Sequence, residues 1–106
     1  MLSMLVSWNW LQDFLGETQL TAEKAAELLG THSFEIEGLE EKAGDTIIDI
    51  DILPNRSSDC LCHRGIAREL ASITGIPLAH DPLREYPKLT TTEAISVTIA
   101  DTAACP

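Results

Sequence analysis

Apolar positions along the chain follow two periods. From Trp8 to Leu15 they recur at helical spacing, with Trp8, Leu11 and Leu15 on one side, Trp10 and Phe14 beside them, and Gly16 placed to stop the last turn. A second helix is expected after Thr21, whose hydroxyl can accept an otherwise unpaired backbone N–H. Glu23 stands in its first turn, Ala25, Ala26, Leu28 and Leu29 supply the apolar side, and Gly30 ends it. Lys24 occupies the place where a capping box would hold Glu, so the box is incomplete. The period then drops to two. Phe34-Glu35-Ile36-Glu37-Gly38-Leu39 alternates, and so does Thr46-Ile47-Ile48-Asp49-Ile50-Asp51-Ile52-Leu53, with a polar turn from Glu40 to Asp45 that contains Gly44. Two alternating runs joined by a short Gly-bearing loop predict a β-hairpin, with Ile48, Ile50 and Ile52 facing the core and Asp49 and Asp51 on a solvated face.

Pro54 forbids continuation of the second strand. With Ser58 as N-cap and Asp59 in the first turn, a third helix is expected from about Cys60 to Thr74. Cys62, Ile66, Leu70 and Ile73 form its apolar stripe, and Gly75 and Pro77 close it. Residues 77–94 hold Pro77, Pro82 and Pro87 and show no period, which reads as a connector. Ile95-Ser96-Val97-Thr98-Ile99 alternates once more, a lone strand with no obvious partner before Cys105-Pro106. The expected architecture is α+β: a small domain of three helices and a β-hairpin over residues 1–76, a connector over 77–94, and over 95–106 a truncated C-terminal strand.

The 106 residues fit one domain, and 44% apolar with 23% charged residues is ordinary globular composition, which excludes disorder and collagen-like repeats. Charge changes the picture more. Seven basic against seventeen acidic residues give a net charge of −10, which repels phosphate backbones and disfavours a direct grip on nucleic acid by this stretch. Three cysteines are an odd number without a framework spacing, as expected of reduced thiols. The apolar start at Met1 has no basic flank and is broken by Ser7 and Asn9, too short to span a bilayer. A cytoplasmic protein with no membrane role is the expectation.

Candidate chemistry is sparse. Cys60, Cys62 and His63, with His80 and Cys105 further on, are potential zinc ligands, but one residue between the paired cysteines is the wrong spacing for a ribbon or finger. Asp49, Asp51 and Asp59 lack any nucleophile or histidine in a supporting motif, and no Gly-rich phosphate loop occurs. No catalytic, cofactor-binding or metal-binding residue is therefore assigned. Arg56, Arg64 and Arg68 gather around the third helix, with Arg64 and Arg68 four apart on one face. They are candidate contacts for RNA phosphates or a partner's carboxylates, against the alternative of local pairing with Asp59 and Glu69. Trp8 and Trp10 cannot both face inward on one helix, and Trp8 joins the arginines as a candidate contact.

From residue 3 to residue 78 the chain is similar to a known family. Ser7-Trp8-Asn9-Trp10-Leu11, Phe34-Glu35-Ile36-Glu37-Gly38-Leu39, Leu53-Pro54-Asn55-Arg56-Ser57-Ser58-Asp59-Cys60-Leu61, His63-Arg64-Gly65-Ile66-Ala67-Arg68-Glu69-Leu70 and Ile73-Thr74-Gly75-Ile76-Pro77-Leu78 occur in the order found in the N-terminal region of phenylalanyl-tRNA synthetase (phenylalanine–tRNA ligase) beta subunits. The stretch from Pro54 to Leu70 is the specific part of this likeness. Ile95-Ser96-Val97 resembles the approach to the family's editing domain. The chain departs from the family where Glu40-Glu41-Lys42-Ala43-Gly44 replaces an inserted OB-type tRNA-binding domain, and where Ser57 and Ser58 stand in place of a single residue.

The resemblance implies a winged-helix-like outline and an architectural, subunit-packing role within a ligase that attaches phenylalanine to its tRNA. It implies ATP and magnesium as cofactors of the whole enzyme and none in this stretch. The partners it implies are the alpha subunit, in an alpha2beta2 assembly, and tRNA. Aminoacylation in that family resides on the alpha subunit, and the beta subunit's magnesium-associated and editing residues lie beyond residue 106. Asn55, Arg56 and Asp59 are expected to fix the strand-to-helix turn. Two alternatives stand beside this one: a small tRNA-binding module using Arg56, Arg64 and Arg68, and a free-standing adaptor docking a protein through Trp8 or Trp10.

Overall fold

The computed structural model describes residues 2–106; Met1, the first residue of the expected 1–76 unit, lies outside them. The fold is α+β. The chain runs through strand β1 (Leu2–Ser7), helix α1 (Trp8–Leu15), helix α2 (Ala22–His32), strands β2 (Glu35–Lys42) and β3 (Asp45–Ile52), a 3-10 turn (Pro54–Arg56), one helical turn α3 (Ser57–Cys60), and helix α4 (His63–Thr74). The three strands form one antiparallel sheet in the order β1-β3-β2.

The expected hairpin is present and longer than its alternating cores. A two-residue turn, Ala43-Gly44, has both residues at positive φ, the left-handed pair that matches strand twist. Glu40, Glu41 and Lys42 therefore belong to β2 and pair with Ile47, Thr46 and Asp45. The central strand is β3. Ile48, Ile50 and Ile52 point from it to the core, opposite Val6, Met4 and Leu2 in register on β1.

Three expectations are corrected. The sheet has a third strand, because β1 occupies the residues read only as an apolar start. Met4 and Val6 alternate with an outward Leu5, but so short an edge strand draws its stability from β3 rather than from its own period. The single third helix is two helices, giving four α-helices among the described residues. The break falls at Leu61-Cys62, where Cys62 takes extended backbone angles and caps α4, its Sγ accepting the Gly65 N–H at 3.3 Å. Cys62 is thus exposed, outside the apolar stripe that Ile66 and Leu70 form. Finally, Ile95–Ile99 join no ladder and every residue from Pro82 to Pro106 is exposed, so no C-terminal strand forms among the described residues.

One helix end also differs. Gly16 terminates α1 as expected, at φ +75°. Gly30 does not end α2, which continues to His32 because the Ser33 N–H still bonds the Leu29 carbonyl. The core lies between the sheet's inner face and the helices. Trp8, Leu11, Phe14 and Leu15 of α1, Ala25, Ala26 and Leu29 of α2, Phe34, Cys60, and Ile66, Ala67 and Leu70 of α4 are all buried there. The chain then turns back. Leu78 packs on this core, and the Ala79 and His80 N–H groups both donate to the Phe14 carbonyl at 2.9 and 3.1 Å. No helix among the described residues is long and apolar enough to cross a membrane.

Candidate functional site

Arg56 sits where β3 hands over to the helices, and its guanidinium is fully engaged. Its Nη2 donates to Glu69 Oε2 at 2.7 Å and to Asp59 Oδ2 at 3.0 Å, its Nη1 to Glu69 Oε1, and its Nε to both Asp59 oxygens. The Phe34 ring lies beneath it, 5.4 Å from Cζ to centroid. Ser33 Oγ donates to Glu69 Oε1 at 2.7 Å, which ties the end of α2 to the same cluster. These bonds raise the Arg56 pKa and hold the Asp59 and Glu69 carboxyls below their ordinary range. Arg56 and Asp59 therefore lie at the strand-to-helix turn, while Asn55 is exposed and contributes no side-chain bond there among the described residues. Arg56 is committed within its own domain.

A second junction ties α1 to the hairpin and to α4. Ser7 caps α1 by accepting the Trp10 N–H at 3.1 Å and donates its own hydroxyl to Asp45 at the hairpin turn. Asp45 also takes the Asn9 N–H at 2.9 Å. From the opposite side, His63 Nε2 accepts the Ser7 N–H at 3.0 Å, and its ring stacks on Trp10 with centroids 4.0 Å apart. Accepting that bond requires an unprotonated Nε2, and burial lowers the His63 pKa against the opposing pull of Asp45. The two tryptophans divide as helical geometry demands, but not as expected. Trp8 is 6% exposed and belongs to the core; Trp10, 52% exposed, is the outward one.

Arg64 and Arg68 do share a face of α4. That face borders a groove of about 530 Å³ closed on its far side by the returning chain, with Ile76 and Leu78 as apolar lining and Arg84 at the rim. Arg64 donates to both oxygens of Asp81, Nε at 2.8 Å and Nη2 at 2.9 Å, and holds that carboxyl down at about 2. Arg68 is exposed, and its side chain has no hydrogen-bond or ion-pair partner among the described residues.

The cysteines and His63 serve separate contacts. Buried Cys60 receives a bond from Arg56 Nη2, and its thiol pKa is pushed up to about 11 by burial. Carboxylates gather elsewhere: Glu35, Glu37 and Asp51 bring oxygens within 4.8 Å of one another on the outer face of the sheet. Asp51 is only 5% exposed, a correction to the solvated face expected of it. An alternating pattern says which side a residue takes, not how closely Glu35, its neighbour in register, will cover it. Hard divalent cations favour oxygen donors of this kind. The grouping of Glu35 and Glu37 with Asp51 was the feature the sequence did not single out.

No protein-family model matches the chain, and no solved structure matches it. Curated relatives do. The chain is 36% identical over 105 residues, 97% of its length, to a protein of Rhodopirellula baltica named phenylalanine–tRNA ligase beta subunit. Proteins of the same name from Syntrophus aciditrophicus and Psychrobacter arcticus are 45% identical over 69 residues and 38% over 79. These alignments take in 58% and 74% of the chain. The chain spans 15%, 8% and 9% of the three relatives' lengths. The resemblance read from Pro54–Leu70 and its flanking blocks is borne out.

Proposed function

From a chain related along nearly its whole length to phenylalanine–tRNA ligase beta subunits, we infer an architectural, subunit-packing segment of an enzyme that joins phenylalanine to its tRNA. The observation that carries this is the 36% identity over 97% of the chain. In this reading residues 1–76 are the packing unit, with a winged-helix-like arrangement of sheet and helices. Residues 77–94 connect it to an editing domain that residues 95–106 approach. ATP and magnesium serve the whole ligase, the alpha subunit is the partner in an alpha2beta2 assembly, tRNA is the shared substrate, and the cytoplasm is the site of action. Two features of the site support a packing role: Arg56 is committed to Glu69 and Asp59, and Ser7, Asp45 and His63 lock three elements together. Side chains so engaged hold a shape.

The test is reconstitution. Mixed with a ligase alpha subunit and the remainder of a beta subunit, the chain should co-elute with the assembly in size-exclusion chromatography, and phenylalanylation of tRNA should require it. A chain that elutes alone, with full activity in its absence, sinks the reading.

A further inference from the structure

We propose that the groove between α4 and the returning segment 75–84 is a docking site for a short partner segment carrying carboxylates beside an apolar side chain. The inference rests on the packing role above and names the chemistry of what is packed. Three of the chain's four arginines, Arg64, Arg68 and Arg84, line one groove of about 530 Å³ in a molecule of net charge −10. The groove already displays how it takes a carboxylate: Asp81 lies in the fork of Arg64 with two bonds of 2.8 and 2.9 Å. One helical turn on, the Arg68 guanidinium offers the same fork on the same face without a partner among the described residues. Arg84 reaches Asp81 only at 3.8 Å and is otherwise exposed. Ile76 and Leu78 of the returning segment and Ala71 on the helix supply apolar lining between these charges, beside Ser72.

Charge complementarity thus asks for acid, and the apolar lining asks for a side chain to cover it. A nucleic-acid backbone supplies the first without the second and brings a charge density that the surrounding acidic surface repels. A peptide with one or two carboxylates supplies both.

The test is fluorescence anisotropy of the 106-residue chain with a short labelled peptide of alternating glutamate and leucine, and in parallel with a labelled single-stranded RNA. The peptide should bind, Arg68→Gln should weaken it about tenfold, and Arg68→Lys should keep part of the affinity. Arg68 is exposed, so both variants should keep the parent's melting midpoint. Failure of the peptide to bind, or binding indifferent to Arg68→Gln, overturns the groove proposal and leaves the packing role to its reconstitution test. Arg68-dependent binding of RNA that exceeds peptide binding and collapses between about 50 and about 200 mM salt overturns it in favour of a phosphate ligand.

Discussion

Gly65 turns its bare Cα toward the carbonyl of Asp59. A Cβ at this position would lie 2.9 Å from the Asp59 carbonyl carbon, 3.0 Å from the Cys60 Cα, and closer still to the Asp59 oxygen. Both obstacles are backbone, so neither can swing away as a side chain would. Gly65→Ala should therefore force α3 and α4 apart and cost on the order of 2–3 kcal/mol, despite the better helix propensity of alanine. Urea titration measures it; a midpoint at or above the parent's would mean the two helices part easily.

The tryptophans should separate by burial. Trp8→Ala opens the core and is expected to cost about 3–5 kcal/mol, whereas Trp10→Ala loses mainly its stack on His63, about 1 kcal/mol. Equal losses in thermal melts would place Trp10 in the core as well.

The Glu69 carboxylate is the more buried of Arg56's two carboxylate partners. Glu69→Gln keeps the shape but removes the charge, and should lower stability by about 1 kcal/mol at neutral pH. The same variant should narrow the gap at low pH. Glu69 in the folded chain titrates below its ordinary value, so its contribution is present above about pH 4.3 and fades as pH falls through the folded value. A constant difference between variant and parent from pH 7 to the acid limit would refute the linkage.

His63 gives a second window. Its folded pKa is depressed, so the unfolded chain takes up the proton first as pH falls below about 6.5, and stability drops from there to the folded value and then levels. His63→Phe keeps a ring against Trp10 but strands the Ser7 N–H, and should cost about 1–2 kcal/mol at pH 8. Its melting midpoint should then stay flatter than the parent's between pH 7.5 and pH 5.5. Parallel curves would show that His63 is not the titrating group.

Much of this architecture was legible in the chain. Ile48, Ile50 and Ile52 with Gly44 announced the hairpin, Thr21 and Gly16 marked helix ends, and the Pro54–Leu70 stretch pointed to its relatives. What escaped were features decided by contact rather than by period. β1 forms because β3 offers it an edge; the break before α4 exists because Cys62 caps the helix with sulfur, an unusual N-cap. Ile95–Ile99 show the converse: alternation alone made no strand where no ladder was at hand. At the site, a helical repeat placed Arg64 and Arg68 together, but only the return of the chain to Phe14 created the groove they line. The charge pattern likewise could not say that Arg56 would be held by Glu69 while Arg68 stayed unpaired.

The double bond from Ala79 and His80 to the Phe14 carbonyl, with Asp81 gripped by Arg64 immediately after, has a mechanical meaning. Three successive residues are nailed to two different helices, so residues 85–106 start from a fixed point and heading. An arm of that length, were it wholly flexible, would wander on the order of 25 Å from its root. With the root immobilised, that volume is centred on one corner of the domain, beside Arg84. Residues 85–106 are thereby presented from the same corner in every copy. Cutting the Arg64–Asp81 tie would turn an anchored leash into a swivel.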